Sequence, residues 1–200
     1  MVSAQDRVAA AMEAVPRTSF LPRAQVPYAS RDAPLPIGHG QTNSQPTTVR
    51  RMLELLDVRE GDRVLDVGAG SGWTTALVGW LTGPRGSVTG VERVPELVTA
   101  GAANVAAAGM PWARVVAAEP GVLGKPSGAP YDRILVSAAP ERLPEELLAQ
   151  LAPDGVMVIP VAGRMLRVQA MPHGPAVQEQ GWYRFVPLVS DPAPVGEDPG

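Results

Sequence analysis

Apolar positions along this chain change period several times, and each change predicts an element. Val8, Ala11, Met12 and Val15 recur at helical spacing, with Ser3 placed to cap the start and Pro16 placed to end it. Val49, Met52, Leu53 and Leu56 predict a second helix over 46–57. From there, short apolar or β-branched runs alternate with helical ones. Strands are expected over 63–67, 87–92, 113–117, 131–137 and 156–160, and helices over 72–81, 95–108 and 144–151. Pro153-Asp154-Gly155 reads as the turn before the strand at 156. The segments 164–170 and 182–188 read as antiparallel strands closing the sheet edge. This alternation demands a mostly parallel sheet with helices on both faces. The expected class is therefore α/β, a single doubly wound, mostly parallel sheet with antiparallel C-terminal edge strands. Residues 1–189 form one domain, and 190–200, with three prolines and three acidic residues, read as a flexible tail.

Two stretches break the period and carry the chemistry. The first is 16–46, rich in proline and too polar for a core. Its centre, Pro34-Leu35-Pro36-Ile37-Gly38-His39-Gly40-Gln41-Thr42-Asn43-Ser44-Gln45-Pro46, is too patterned for a linker and reads as a functional loop over a site. The second is Val64-Leu65-Asp66-Val67-Gly68-Ala69-Gly70-Ser71-Gly72-Trp73, a buried strand, a glycine turn and a helix start. Glycines there let a ligand approach the backbone, and the helix start offers unpaired N–H groups. A dinucleotide fingerprint wants a small residue where Trp73 stands, and no Gly-Lys-Ser/Thr of a P-loop follows. Asp66, two positions before the first glycine, would repel a pyrophosphate and attract an ammonium. The turn thus suits a cationic cofactor without phosphate there, S-adenosyl-L-methionine rather than NAD or ATP.

Composition narrows the field. The 200 residues are 45% apolar and 18% charged, with a net charge of −3, which gives no basic stripe for nucleic acid. Absence of cysteine removes disulfides and thiolate catalysis, and only His39 and His173 are present, so no metal site is expected. No apolar run reaches the roughly 18 residues of a membrane span, and Asp6, Arg7 and Glu13 interrupt any signal-peptide pattern. A cytoplasmic protein is the expectation.

Glu92 ends the second strand of the alternation, about 20 residues past the glycine turn, where an acidic side chain can accept from both ribose hydroxyls. Glu119-Pro120-Gly121 ends the third, where adenine should lie; Glu119 could accept from the adenine amino group and Gly121 allow close approach. Ser137-Ala138-Ala139 leaves room for an acceptor. Asp132, at the far end of its strand, reads as structural. His39 reads as packing its loop rather than as a base, His173 as solvent-exposed, and Trp182 and Phe185 as core.

Several segments then line up in one order. They are Val15-Pro16-Arg17 with Phe20, the 34–46 loop, 64–72, Ala129-Pro130-Tyr131-Asp132-Arg133-Ile134, Ala138-Ala139 with Pro144, Gln150-Leu151 to Gly155, Pro160-Val161-Ala162-Gly163, and Phe185-Val186-Pro187-Leu188. In these the chain resembles protein-L-isoaspartate O-methyltransferases over 8–189, and the Gly-Gln-Thr-x-Ser loop with the Phe-Val-Pro-Leu ending is far more specific than the glycine turn. The resemblance implies a Rossmann-like methyltransferase fold and methyl transfer from S-adenosyl-L-methionine, leaving S-adenosyl-L-homocysteine, to the α-carboxylate of isoaspartyl residues in peptides or proteins. The ester then collapses to a succinimide. It places Ser44 between cofactor and substrate with Thr42 as its catalytic companion, and Asn43 and Gln45 along the pocket. It gives Asp66, Gly68, Ala69, Gly70, Gly72, Glu92, Arg93, Glu119, Gly121 and Gln45 to the cofactor. It implies a monomer without nucleic-acid or membrane partners. Two departures stand out: Asn43 replaces the usual Ile, and Pro120 falls on the family's Asp. Adenine recognition then rests on Glu119, backbone groups or water. A methyltransferase for aspartate or another carboxylate in a dedicated peptide, an RNA methyltransferase and a relative without cofactor binding remain as alternatives.

Overall fold

The computed structural model describes residues 2–188, so the tail expected over 190–200 lies outside the described residues. Helix α1 (Ala4–Ala14) starts with a capping box: the Asp6 N–H donates to Ser3 Oγ at 3.1 Å while the Asp6 carboxylate accepts from the Ser3 N–H. Both donors are ones that a helix start leaves open. Helix α2 (Pro46–Leu56) buries Val49, Met52, Leu53 and Leu56 along one face. It is capped from a distance by Asp32, which accepts from the Thr47 N–H at 2.9 Å, the Thr47 hydroxyl at 2.7 Å and the Gln45 amide at 3.0 Å. Those donors hold the Asp32 carboxyl below its ordinary pKa, the Gln45 amide most of all.

Strands β1 (Leu35–Gly38) and β2 (Gln41–Asn43) form a small antiparallel hairpin between the two helices. The main sheet holds β3 (Arg63–Val67), β4 (Ser87–Glu92), β5 (Ala113–Ala117), β6 (Tyr131–Val136), β7 (Leu151–Val161), β8 (Arg164–Gln169) and β9 (Ala176–Trp182). Their order is β5-β4-β3-β6-β7-β8-β9; the first five run parallel and the last two antiparallel. Helices α3 (Trp73–Thr82), α4 (Pro95–Ala107) and α5 (Glu145–Leu148) make the crossovers. This is the doubly wound α/β sheet that the alternation predicts.

Two apolar clusters fill the two faces, and the two-residue period of the strands sorts side chains between them. Val64, Leu135 and Val158 join the face under α1–α4, whereas Leu65, Ile134 and Met157 join the face under Leu147. The same period sends Asp66 to the Val64 side, beneath α3. At the far end of β6, Asp132 accepts from the Arg63 N–H at 2.7 Å, tying two strand starts together.

Three expected elements are corrected. The helix expected over 144–151 is only α5, because Leu151 already pairs with Tyr131 and the buried Gln150 side chain donates to the loop carbonyl of Leu123 and to the Glu146 carbonyl of α5. Pro153-Asp154-Gly155 is a bulge inside β7, not a turn before it. Pairing jumps from Tyr131↔Leu151 to Arg133↔Val156 and Asp154 takes φ 61°. A bulge is where a sheet tolerates a residue without an N–H. The last strand is β9, not 182–188. Its residues are nearly all exposed and Gln178, Glu179 and Gln180 fill its centre, so they carry no apolar alternation to betray them. Trp182, expected in the core, is 71% exposed with the Arg164 guanidinium 3.9 Å above its ring. The 183–188 stretch instead leaves the edge and packs Tyr183 and Phe185 on one cluster and Leu188 on the other. Among the described residues, no helix is long and apolar enough to cross a membrane.

Candidate active site

Strand β3 lies between β4 and β6, so strand order reverses at its carboxyl end, the place where open α/β sheets form ligand crevices. A cavity of about 650 Å³ opens there. One wall is the glycine turn. Gly68 and Ala69 donate their N–H groups to the Val91 carbonyl at 2.9 and 3.1 Å, which pins the turn to β4. Gly72 has φ 88°, and a Cβ on it would stand 2.8 Å from Val105 and 2.9 Å from the Gly101 carbonyl of α4. Only glycine fits both conditions. Gly72 therefore packs two helices together and lies outside the cavity, whereas Trp73, beside it, lines the cavity and donates its indole N–H to the Val15 carbonyl at 3.1 Å.

Glu92 is buried at the end of β4 and lines the cavity. Its Oε2 accepts from the Gly70 N–H at 2.8 Å, and its Oε1 from the Arg93 and Val94 N–H groups at 2.8 and 3.0 Å. It braces the turn, the Arg93 backbone and the start of α4, and Oε2, which accepts from Gly70, keeps a lone pair for a ligand hydroxyl. Asp66 sits one layer deeper and is fully buried. Its Oδ2 accepts from the Thr74 and Thr75 hydroxyls, both at 2.7 Å, and its Oδ1 has no partner among the described residues. Burial, with a smaller push from the Glu92 charge, raises its pKa to about 6 against the pull of the two threonines.

The opposite wall is the hairpin. Thr42, Asn43 and Ser44 line the cavity, and the hydroxyls of Thr42 and Ser44 take no partner from the described residues. Gln45 does not join them; its amide is committed to Asp32 outside the cavity. His39 is likewise outside, exposed, with Nδ1 3.9 Å from Glu96. The third wall carries Glu119 and Gly121 at the end of β5. Pro120 and Gly121 form a turn in which Val122 donates to the Glu119 carbonyl at 3.1 Å, and the Glu119 carboxylate is ion-paired with Lys125. That pairing uses Oε1 of the one side chain the sequence offered for an adenine amino group, and the side chain still lines the cavity.

Two features escaped sequence reasoning. Val186, Pro187 and Leu188 close the cavity beside Ser137 and Ala138. Their backbone is held by Ala139, which donates to the Val186 carbonyl at 2.8 Å and accepts from the Leu188 N–H at 2.9 Å. In sequence this looked like one more edge strand. Arg17, known only as part of a resembling motif, is buried against the hairpin. An arginine immediately after a helix-ending Val-Pro, with apolar Phe20 behind it, was the available signal.

The family model for protein-L-isoaspartate(D-aspartate) O-methyltransferase matches residues 1–193. A protein-L-isoaspartate O-methyltransferase of Methanothrix thermoacetophila is 45% identical over 186 residues, 92% of this chain and 88% of its own length. That of Methanopyrus kandleri is 45% identical over 191 residues, 93% of this chain and 84% of its own. A solved protein-L-isoaspartate O-methyltransferase superposes with a TM-score of 0.84 at 25% identity; the match covers 92% of this chain and spans 62% of the other. A second structure, described with the same activity, comes from Plasmodium falciparum in complex with S-adenosyl-L-homocysteine. It superposes with a TM-score of 0.80 at 26% identity, over 93% of this chain and 91% of its own. The family-model match runs through the hairpin, the glycine turn and the closing segment alike, and the chain belongs to the protein-L-isoaspartate(D-aspartate) O-methyltransferase family.

Proposed function

We propose that this chain transfers a methyl group from S-adenosyl-L-methionine to the free α-carboxylate of L-isoaspartyl residues in damaged proteins or peptides, opening their repair through a succinimide. The observation that carries this is one cavity with two unlike walls. On one side a glycine turn stands over buried carboxylates; on the other, at the end of the hairpin, two hydroxyls take no partner from the described residues. The residues fit the cofactor. The buried Asp66 Oδ1 receives no donor from the described residues, and a cationic ligand is what two neighbouring carboxylates favour. Asp66 and Glu92 would hold its charged and hydroxyl groups, Gly68, Ala69 and Gly70 its close approach, and Glu119 with Gly121 its base.

When bound, the cofactor supplies an electrophilic methyl on a sulfonium. The acceptor carboxylate is ionised at neutral pH and needs no general base. Ser44 and Thr42 then act by donating hydrogen bonds that aim one carboxylate oxygen, a positioning role. The small Ser137 and Ala138 side chains leave room for that oxygen, and Trp73 with Val186–Leu188 keeps water out while charge is neutralised. The reading is of a monomer working on peptide in the cytoplasm, without nucleic acid, for which the net charge of −3 leaves no basic surface.

The test is methyl transfer to an isoaspartyl peptide beside its aspartyl twin. Labelling of the isoaspartyl peptide with the twin at background is expected. Equal labelling points to a general carboxylate methyltransferase, and labelling of neither points to a relative without catalysis.

A further inference from the structure

The two walls of the cavity are joined by a buried polar chain. Arg17 follows α1 and is 6% exposed. Its Nη2 donates to the carbonyls of Ala33, Asn43 and Ser44 at 2.9, 2.8 and 2.9 Å, and its Nη1 to the Arg31 carbonyl at 3.2 Å. Its Nε donates to Asn43 Oδ1 at 2.7 Å. Burial lowers the Arg17 pKa, with Asp32 opposing that as the nearby opposite charge. A guanidinium only donates. The Asn43 amide must therefore turn its oxygen to Arg17, and its nitrogen is left facing the glycine turn. There Asn43 Nδ2 donates to Ser71 Oγ at 3.1 Å. Among the described residues this is the hydrogen bond that joins hairpin to turn. Ser71 is fixed from the other side, its carbonyl accepting from the Asn104 amide of α4 at 2.9 Å. Because Ser71 Oγ accepts from Asn43, its own proton is free to donate to a ligand in the cavity it lines.

We propose that Asn43, oriented by Arg17, is a positioning residue that couples occupancy of the glycine turn to the placement of Ser44 on the acceptor wall. A ligand that draws the Ser71 proton strengthens the Asn43–Ser71 bond, because hydrogen bonds in a chain polarise one another. That bond draws in Asn43, whose neighbour is Ser44, with the carbonyls of both on the same guanidinium nitrogen. Cofactor and acceptor thus bind cooperatively through residues that transfer nothing themselves. The inference rests on the methyl-transfer reading above.

The test measures the coupling directly. S-adenosyl-L-homocysteine is titrated by calorimetry without and with saturating isoaspartyl peptide. A wild-type ratio of dissociation constants of about fivefold or more is expected. Asn43→Ala breaks the chain at its centre, and Ser71→Ala breaks it while leaving Arg17 on Asn43. In both the ratio falls to near one and the peptide KM rises about tenfold, the loss of one buried hydrogen bond. Ser71→Thr, which keeps the hydroxyl that accepts from Asn43 and donates to the ligand, restores most of the ratio. A wild-type ratio of one, or an unchanged ratio in both alanine variants, overturns the coupling. So does loss of the thermal unfolding transition in both, which would make the link purely structural. A wild-type protein that methylates no isoaspartyl peptide is a separate result; it overturns the functional reading and takes the coupling with it.

Discussion

Asp66 holds one carboxylate oxygen on two threonine hydroxyls and presents the other to no donor, fully buried, with a pKa of about 6. Its folded pKa lies above the ordinary 3.8, so the folded state binds this proton more tightly than the unfolded one. The contribution to stability is therefore whole below pH 4 and is lost as pH rises through about 6, on the order of 3 kcal/mol in all. Asp66→Asn removes the linkage. Urea unfolding at several pH values should show the variant gaining on the wild type from pH 4 to 7, and a difference flat in pH contradicts the raised pKa. Binding has the opposite sign, because a cationic cofactor prefers the ionised carboxylate. Affinity for S-adenosyl-L-homocysteine should fall below pH 6 in the wild type and stay flat in Asp66→Asn, which binds about tenfold more weakly at pH 7.5. At Ser44, replacement by alanine should cost about 10- to 100-fold in methyl transfer with cofactor affinity nearly unchanged, since a positioning hydroxyl is lost. Unchanged turnover on an isoaspartyl peptide refutes that role. Spacing to the first glycine made Asp66 legible, because a strand's two-residue period and a turn fix where a side chain goes. Gln45 was not legible in this way. Its partner, Asp32, sits in an irregular segment to which no period assigns a place.

The elements of this fold divide by how they announce themselves. Strands β3 and β4 are buried runs and β5 a half-buried edge run, each bounded by turns, and sequence reading places their ends at the residues where they lie. Strand β9 and the bulge in β7 are hidden for opposite reasons. The first is an exposed edge with no apolar face; the second carries turn residues that pairing absorbs into a strand. The hairpin was legible as a site but not as structure, because Leu35 and Ile37 bury in a stretch otherwise polar and glycine-rich. Where α3 meets α4, the sequence signal is Gly72, and its role can be weighed. Gly72→Ala meets both a left-handed backbone and a neighbouring helix: φ strain of about 1–2 kcal/mol adds to overpacking of about 1–3 kcal/mol. Gly61 offers the control, with φ 91° and nothing within 4 Å of its added Cβ. Denaturant midpoints should fall for both alanine variants, and further for Gly72→Ala. Equal losses would mean that α4 yields freely and the packing argument fails.

At the scale of the molecule, alternation settled the class of fold because a chain of βα units has few ways to bury its apolar faces. Which distant segments meet over the sheet was not settled, since closure by Val186–Leu188 depends on a backbone pairing with Ala139 that leaves no pattern. Among the described residues, the cavity so closed keeps hydroxyls without partners at Thr42 and Ser44, with an orphaned oxygen at Asp66 one layer behind its wall. Folding alone leaves these groups short of donors or acceptors, and the cofactor's ammonium, hydroxyls and carboxylate are complementary to them. A ligand that binds only the folded chain stabilises it by about 2.7 kcal/mol at a hundredfold excess over its dissociation constant. A domain of this size gains roughly 2–4 °C per kcal/mol. S-adenosyl-L-homocysteine at that excess should therefore raise the melting temperature by about 5–11 °C in differential scanning fluorimetry. NAD at the same concentration should leave it in place, because its pyrophosphate would meet Glu92 and Asp66 where a dinucleotide fold offers bare N–H groups. In Asp66→Asn the homocysteine shift should shrink in step with the weakened affinity, while the NAD trace stays flat. An NAD shift matching that of S-adenosyl-L-homocysteine would mean that the carboxylates do not select the ligand's charge.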